Sequence, residues 1–249
     1  MSEVKFIYGL IGKGIDYSFS KSYFNQKFQN EGLVNHSYEN FDCKNLDQVA
    51  ESLKQKKLKG LNVTIPYKEK IIPYLDNISK EAREIMAVNT ISFDENRNLI
   101  GHNTDCYGFQ KSLFEKINKK PKNALILGTG GASKAIGYAL KENSIKFHTV
   151  SRKKGKGDYS YNELEKEIIT EYELIINTTP VGTYPNTEDC VDINFNYITK
   201  KHILFDLTYN PKKTRFLTNG KIQGAKIING YDMLINQAER SWSIWNKTN

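Results

Sequence analysis

The sequence predicts an α/β protein whose second half forms a doubly wound, mostly parallel sheet. Three observations carry this. Short apolar runs at 123–127, 146–150, 174–177 and 203–206 alternate with helix-length segments. The first run, ending Leu125-Ile126-Leu127, stops at Gly128-Thr129-Gly130-Gly131-Ala132-Ser133, and a helical pattern over 134–142 begins at once. Upstream of the polar stretch Lys119-Lys120-Pro121-Lys122, the chain carries a strand-and-helix pattern of its own.

Taken in order, residues 4–11 read as a strand, and a helix follows near 21–31. Residues 46–56 have helical character. Residues 59–65 return to strand, closed by Pro66, which has no N–H to continue a ladder. A helix is predicted at 80–85, with strands at 87–93 and 99–102 around the turn 94–98. Phe109, Leu113 and Ile117 recur every fourth residue, which predicts a helix over 105–118. After the alternating segment, residues 223–228 form a candidate strand. Met233, Leu234, Ala238, Trp242 and Trp245 place a last helix over 232–245 by their spacing.

Bulk properties narrow the classes. At 249 residues, 39% hydrophobic and 26% charged, the chain is long enough for one large domain or two modest ones with real cores. Its apolar runs fall far short of the about 20 residues that cross a bilayer, and residues 1–14 read as a first strand rather than a signal peptide. Cys43, Cys106 and Cys190 are odd in number and widely spaced, which speaks against disulfides and a metal site and favours a reducing cytoplasm. The net charge of +8 is spread over scattered lysines, a solvated basic surface that favours anionic small molecules over nucleic acid.

The glycine turn points to a dinucleotide. Gly128 permits the tight turn, Gly130 lets the backbone approach a pyrophosphate, and the helix that follows offers free N–H groups to phosphate. Ser133 departs from the usual small third residue of the fingerprint. The next strand ends Val150-Ser151-Arg152-Lys153-Lys154, with no carboxylate for ribose hydroxyls. Arg152 suits an adenine face and a 2′-phosphate, with Lys153 adding charge, so NADP is expected over NAD.

A second constellation lies upstream. In Asn62-Val63-Thr64-Ile65-Pro66-Tyr67-Lys68, alternation puts Asn62 and Thr64 on one face, and Pro66 carries Lys68 into a loop. Ala87-Val88-Asn89-Thr90 and Gly101-His102-Asn103-Thr104-Asp105 also place polar groups at strand ends. Convergence of such ends would make a polyol site, since each hydroxyl needs a directional partner.

Here the chain resembles the shikimate dehydrogenase family, nearly end to end and in order. The matches begin at Ser18-Phe19-Ser20 with Asn25, and continue through the segments holding Lys68, Asn89 and Asp105 and through the glycine turn. They go on through Asn177-Thr178-Thr179-Pro180-Val181-Gly182, Asp206-Leu207-Thr208-Tyr209-Asn210-Pro211 with Thr214, and Gly230-Tyr231-Asp232-Met233-Leu234 with Gln237-Ala238. Departures are Lys21 for a usual proline, Phe24 for histidine, Met86 for a common glycine, Thr183 for methionine and Leu207 for a common methionine.

The resemblance implies NADPH-dependent reduction of 3-dehydroshikimate to shikimate, in the cleft between two domains. It implies an α/β substrate domain over 1–104, completed by the C-terminal helix 231–249, and a Rossmann-type NADP domain over 105–230. Lys68 and Asp105 are the implied catalytic pair. Ser18, Ser20, Thr64, Asn89, Tyr209 and Gln237 are the implied substrate ligands, with Asn62 nearby. Gly128, Thr129, Gly130, Gly131, Ala132, Ser151, Arg152, Lys153, Thr178, Leu207 and Gly230 are the expected cofactor contacts, with no metal. The family includes monomers and homodimers. Two alternatives stand beside this reading: a quinate/shikimate dehydrogenase using NAD, and a non-catalytic NADP-binding sensor.

Overall fold

The computed structural model describes residues 6–16, 18–50, 53 and 57–247. The expected strand residues Val4 and Lys5, and most of the expected helix beyond Ala50, lie outside the described residues. The chain divides into two compact units, Met1–Thr104 with Ala238–Asn249, and Asp105–Gln237.

The first unit contains β1 (Phe6–Gly12), α1 (Phe19–Asn30), β2 (His36–Asp42), α2 (Asp47–Ala50), β3 (Leu58–Val63), β4 (Asn77–Ile78), α3 (Lys80–Ile85), β5 (Thr90–Phe93) and β6 (Leu99–His102). Its sheet runs β2-β1-β3-β5-β6-β4 and is mixed: β1 pairs parallel with β2 and β3, while β3–β5 and β5–β6 are antiparallel. One core packs Ile11, Leu58, Leu61, Val63, Tyr67 and Ile71. A second, aromatic core gathers Tyr8, Phe24, Phe28 and Tyr38, with Trp242 and Trp245 against it. Trp245 Nε1 donates to the Ile91 carbonyl at 3.0 Å, which fixes the end of the last helix to this unit.

The second unit contains α4 (Asp105–Phe114), β7 (Asn123–Leu127), α5 (Gly131–Glu142), β8 (Lys146–Ser151), β9 (Tyr159–Ser160), α6 (Lys166–Glu171), β10 (Leu174–Asn177), β11 (Ile203–Asp206), α7 (Arg215–Ile222), β12 (Lys226–Ile228) and the start of α8 (Tyr231–Asn246). Its sheet runs β12-β11-β10-β7-β8-β9, with every pairing parallel. Leu125, Leu127, Ile175 and Leu204 sit fully buried in its core, as expected of central parallel strands covered on both faces. The order reverses between β7 and β10, so the C-terminal ends of those two strands form the switch point where open α/β sheets bind ligands.

Helix α8 is divided between the units at Gln237 and Ala238, rather than joining the first unit whole. Its first turns belong with α4: a Cβ on Gly108 would lie 2.7 Å from the Met233 carbonyl, and Lys116 Nζ pairs with Asp232 at 2.9 Å. The expected helix 105–118 stops at Phe114, and the strand expected from 87 starts at Thr90.

Candidate active site

In the first unit the site is built on strand ends. Val63 N donates to Asn89 O at 2.9 Å, and Asn89 N donates to His102 O at 3.0 Å, so three consecutive polar segments are laced by backbone. Asn89 is buried; its Oδ1 accepts from Thr104 N at 2.7 Å, and its Nδ2 donates to Thr104 Oγ1 at 3.0 Å. This fixes the residue immediately before Asp105. Asp105 itself is 1% exposed and opens α4 as its first residue, in the second unit.

Asn62 has its amide engaged within the unit. Nδ2 donates to Asn89 O, Thr90 Oγ1 and Ser241 Oγ at 3.2, 3.1 and 2.9 Å, and Oδ1 accepts from the Tyr38 hydroxyl at 2.8 Å. Thr64, on the same strand face, is half-buried, and its backbone is tied to Ile11 O at 2.9 Å. The loop carrying Lys68 is rigid for a local reason. Tyr67 is buried with its hydroxyl on Cys43 O at 2.7 Å, and Ile71 is fully buried one turn on. Val88 N donates to Lys68 O at 2.7 Å, so the half-buried Lys68 is held beside the segment that carries Asn89.

Ser18 is the N-cap of α1, yet its hydroxyl makes no capping bond, and the first turn of α1 carries no acidic residue. A serine left uncommitted at the positive end of a twelve-residue helix suits a carboxylate. Ser20 follows in the first turn and is half-buried.

The second unit holds the remaining predicted residues. Gly128 has φ +119°, and a Cβ there would lie 2.5 Å from Thr178 Oγ1, so only glycine fits this turn. Thr178 Oγ1 donates to Leu127 O at 2.8 Å, joining the ends of β7 and β10 at the switch point. Ser133 Oγ donates to Gly128 O at 2.8 Å, so the irregular third position of the fingerprint braces the turn. Thr129 and Gly130 are exposed, and Gly131 and Ala132 begin α5. Leu207 N donates to Asn177 O at 3.0 Å. Gly230 packs backbone to backbone on Leu207: a Cβ would lie 2.0 Å from the Leu207 carbonyl oxygen. Tyr209 and Gln237 are half-buried, both in this unit.

The residues fit a phosphorylated dinucleotide. The N-cap of α5, Gly130, provides no side-chain cap, and open space lies where its Cβ would sit. The helix therefore presents its first amides to an incoming anion. At the end of β8, Ser151 is buried and accepts from Lys153 N at 3.2 Å, while Arg152 and Lys153 are exposed. The nearest carboxylate after β8, Asp158, is engaged by Thr149 N and Oγ1 at 2.7 and 2.9 Å, so no acid stands ready for a 2′-hydroxyl. Among the described residues no group of three or more His, Cys, Asp or Glu is arranged to hold a metal ion.

Sequence reasoning missed Tyr38. It lies on a mostly polar edge strand with no motif to mark it, and only the folded register brings its hydroxyl to Asn62.

A parallel sheet with an uncapped glycine-led helix at its switch point, joined to an α/β unit rich in directional polar groups around a lysine, defines a two-domain NADP-linked dehydrogenase. Comparison with known proteins gives the family. Residues 10–91 match the model described as the shikimate dehydrogenase substrate binding domain. A shikimate dehydrogenase (NADP(+)) of Clostridium beijerinckii is 40% identical over 248 residues, covering 96% of this chain and 91% of that protein. The crystal structure of shikimate dehydrogenase from Aquifex aeolicus superposes with a TM-score of 0.89 at 37% identity, covering 99% of this chain and 94% of that one. The Thermus thermophilus shikimate 5-dehydrogenase, solved with NADP(H) and shikimate, gives a TM-score of 0.86 at 30% identity, covering 97% and 94%. The chain belongs to the shikimate dehydrogenase family.

Proposed function

We propose that this protein catalyses the reversible, NADPH-dependent reduction of 3-dehydroshikimate to shikimate, with Lys68 as the acid/base. The single observation that carries the assignment of the lysine is its anchoring: the Lys68 carbonyl is bonded to Val88 N, one residue from Asn89. Bound NADPH supplies the hydride to the ketone carbon. The chain's own residues manage charge and orientation. Lys68 gives its proton to the carbonyl oxygen as negative charge builds there, and takes it back from the hydroxyl in the reverse direction. Asp105 is read as the second member of the pair from the family resemblance, and the buried Asn89–Thr104 bonds that hold the residue just before it support this reading.

Ser18 and Ser20 take the substrate carboxylate, supported by the uncommitted Ser18 hydroxyl at the start of α1. Thr64, Asn89, Tyr209 and Gln237 take ring hydroxyls and carboxylate oxygens, while Asn62 holds the framework behind them. Arg152 and Lys153 meet the 2′-phosphate, supported by their exposure at the end of β8 and the absence of an acid there. A cytoplasmic setting is supported by Cys43, Cys106 and Cys190 being free thiols.

The test is reduction of NADP by shikimate with purified protein, compared with Lys68→Ala. Loss of turnover with shikimate binding retained, measured by calorimetry, is expected. Full activity in Lys68→Ala would falsify the role of the lysine, and absence of turnover in the wild-type protein would overturn the assignment of the reaction.

A further inference from the structure

We infer that Asp158 is a positioning residue for the 2′-phosphate of NADP, closing the loop that carries Arg152 and Lys153; this rests on the reading of those two cations as the phosphate contacts. Residues 152–158 leave the end of β8 and turn back beside it, because β9 pairs parallel with the last residues of the strand just left, Val150 with Tyr159 and Ser151 with Ser160. The loop between them holds Arg152, Lys153, Lys154 and Lys156, all exposed. Asp158 is its one acid. Like charges on a short segment repel and extend it, so a loop of this composition needs something to close it.

Asp158 closes it at the base. Its Oδ2 accepts from Thr149 N at 2.7 Å and from Thr149 Oγ1 at 2.9 Å, and its own N donates back to Thr149 Oγ1 at 3.3 Å. Side chain and main chain of the last loop residue are thus both tied to the strand that precedes the first. Gly157 fits against the same stretch of β8: a Cβ there would lie 2.9 Å from Thr149 O and 3.1 Å from Ser151 N. Two further bonds shape the loop. Lys153 N donates to Ser151 Oγ at 3.2 Å, and Lys156 N donates to Lys153 O at 3.2 Å across a turn in which Gly155 has φ +78°.

These bonds divide the charges by task. The Asp158 carboxylate is committed to a backbone N–H and a hydroxyl, and such charge-assisted bonds are stronger than neutral ones. Arg152 and Lys153 stay exposed to a ligand. A phosphate that meets cations on a loop already closed orders less chain on binding than one that must close the loop itself. The difference falls on NADP, since the ribose hydroxyl of NAD brings no charge for the loop to gather around. Asp158 therefore acts through the loop and not on the cofactor.

The experiment is fluorescence titration of the full chain with NADPH and with NADH, together with hydrogen exchange of the 152–158 amides in the absence of nucleotide. Asp158→Ala is expected to weaken NADPH binding roughly fivefold and to leave NADH binding unchanged. Exchange should quicken within 152–158 while the β7 and β10 amides keep their protection. Asp158→Asn keeps an acceptor for Thr149 N and is expected to restore most of the NADPH affinity. Arg152→Ser and Lys153→Ser are the references. If both leave NADPH binding unchanged, the phosphate reading of the loop falls and takes the inference with it. If they weaken NADPH while Asp158→Ala leaves it unchanged, tightens it as removal of a repelling charge would, or weakens NADPH and NADH alike, the phosphate reading survives and the role of Asp158 is overturned. A loss in Asp158→Asn as large as in Asp158→Ala overturns it too. Thr149→Val removes the hydroxyl from the clamp and leaves the bond from the residue 149 amide; it is expected to shift the NADPH-to-NADH ratio in the same direction, and it decides the matter where Asp158→Ala does not fold.

Discussion

Thr214 Oγ1 donates a 2.6 Å hydrogen bond to the Asp206 carboxylate inside the second unit. Thr208 N and Asn177 Nδ2 each add a bond of 3.0 Å to the other oxygen. The carboxylate sits at the end of β11, fully buried, and ties three segments of the family pattern together. Burial raises its pKa to about 6, with the hydrogen bonds opposing the shift.

This sets the first prediction. The folded pKa of Asp206 lies above the unfolded value of 3.8, so the folded state holds the proton more tightly. The contribution of Asp206 is fully present below pH 3.8, declines as pH rises from there through about 6, and is constant above that. Asp206→Asn is expected to remove this decline. Hydrogen exchange of the β10 and β11 amides between pH 4 and pH 7 reports it locally. An identical pH profile in variant and wild type would refute the assignment.

His102 makes the opposite prediction in the first unit. Burial, and then the charge of Arg240, lower its pKa from 6.5 to about 4, while its Nε2 is bonded with Ser92 Oγ at 2.8 Å. Its contribution is present above pH 6.5 and is lost as pH falls toward about 4, because the unfolded chain takes up a proton that the folded one refuses. In His102→Gln the β5 and β6 amides are expected to keep their protection in that range. The two units should therefore respond to mild acid with opposite signs. Parallel behaviour of both amide sets would sink this pair of assignments.

These groups show what the sequence could and could not reveal. β7 and β10 were legible because parallel central strands, buried on both faces, must be continuous apolar runs, and Ala124–Leu127 and Leu174–Ile176 are wholly buried. The glycine turn was legible because only glycine accepts the φ of Gly128. β2 was not, since an edge strand reading His36-Ser37-Tyr38-Glu39-Asn40-Phe41-Asp42 buries only Tyr38. Lys68 and Asn89 were findable from motifs at strand ends. The engagement of Asn62 was not, because its partners Tyr38 and Ser241 are remote in sequence and meet it only through tertiary register.

The departure at Met86 has a direct physical consequence. Met86 ends α3 in the left-handed region at φ 58°, where its side chain is 55% exposed. Glycine carries no Cβ penalty there. Met86→Gly is expected to stabilise the protein by about 0.5–1 kcal/mol after the greater flexibility of glycine in the unfolded chain is counted. Urea unfolding measures this, and destabilisation would show that the exposed methionine makes a contribution larger than the backbone strain it carries.

Arg152 carries the last prediction, on cofactor choice. It is exposed at the end of β8 in a run of three cations, and Asp158, the nearest downstream acid, is held by Thr149. A guanidinium in this position recognises a phosphate by paired, charge-assisted bonds that a ribose hydroxyl cannot reproduce. Arg152→Ser is therefore expected to raise the KM for NADP by roughly tenfold or more, a loss of one charged contact, while the KM for NAD changes little. Lys153→Ser should follow in the same direction with a smaller effect, since an ammonium on a flexible stem lacks the bidentate geometry. The NADP effect should shrink as salt is raised, because both groups are solvent-exposed and screened. Kinetics with the two cofactors at low and high ionic strength separate this from a packing defect: equal losses with NADP and NAD would place the role of Arg152 in the fold or on adenine rather than on the 2′-phosphate.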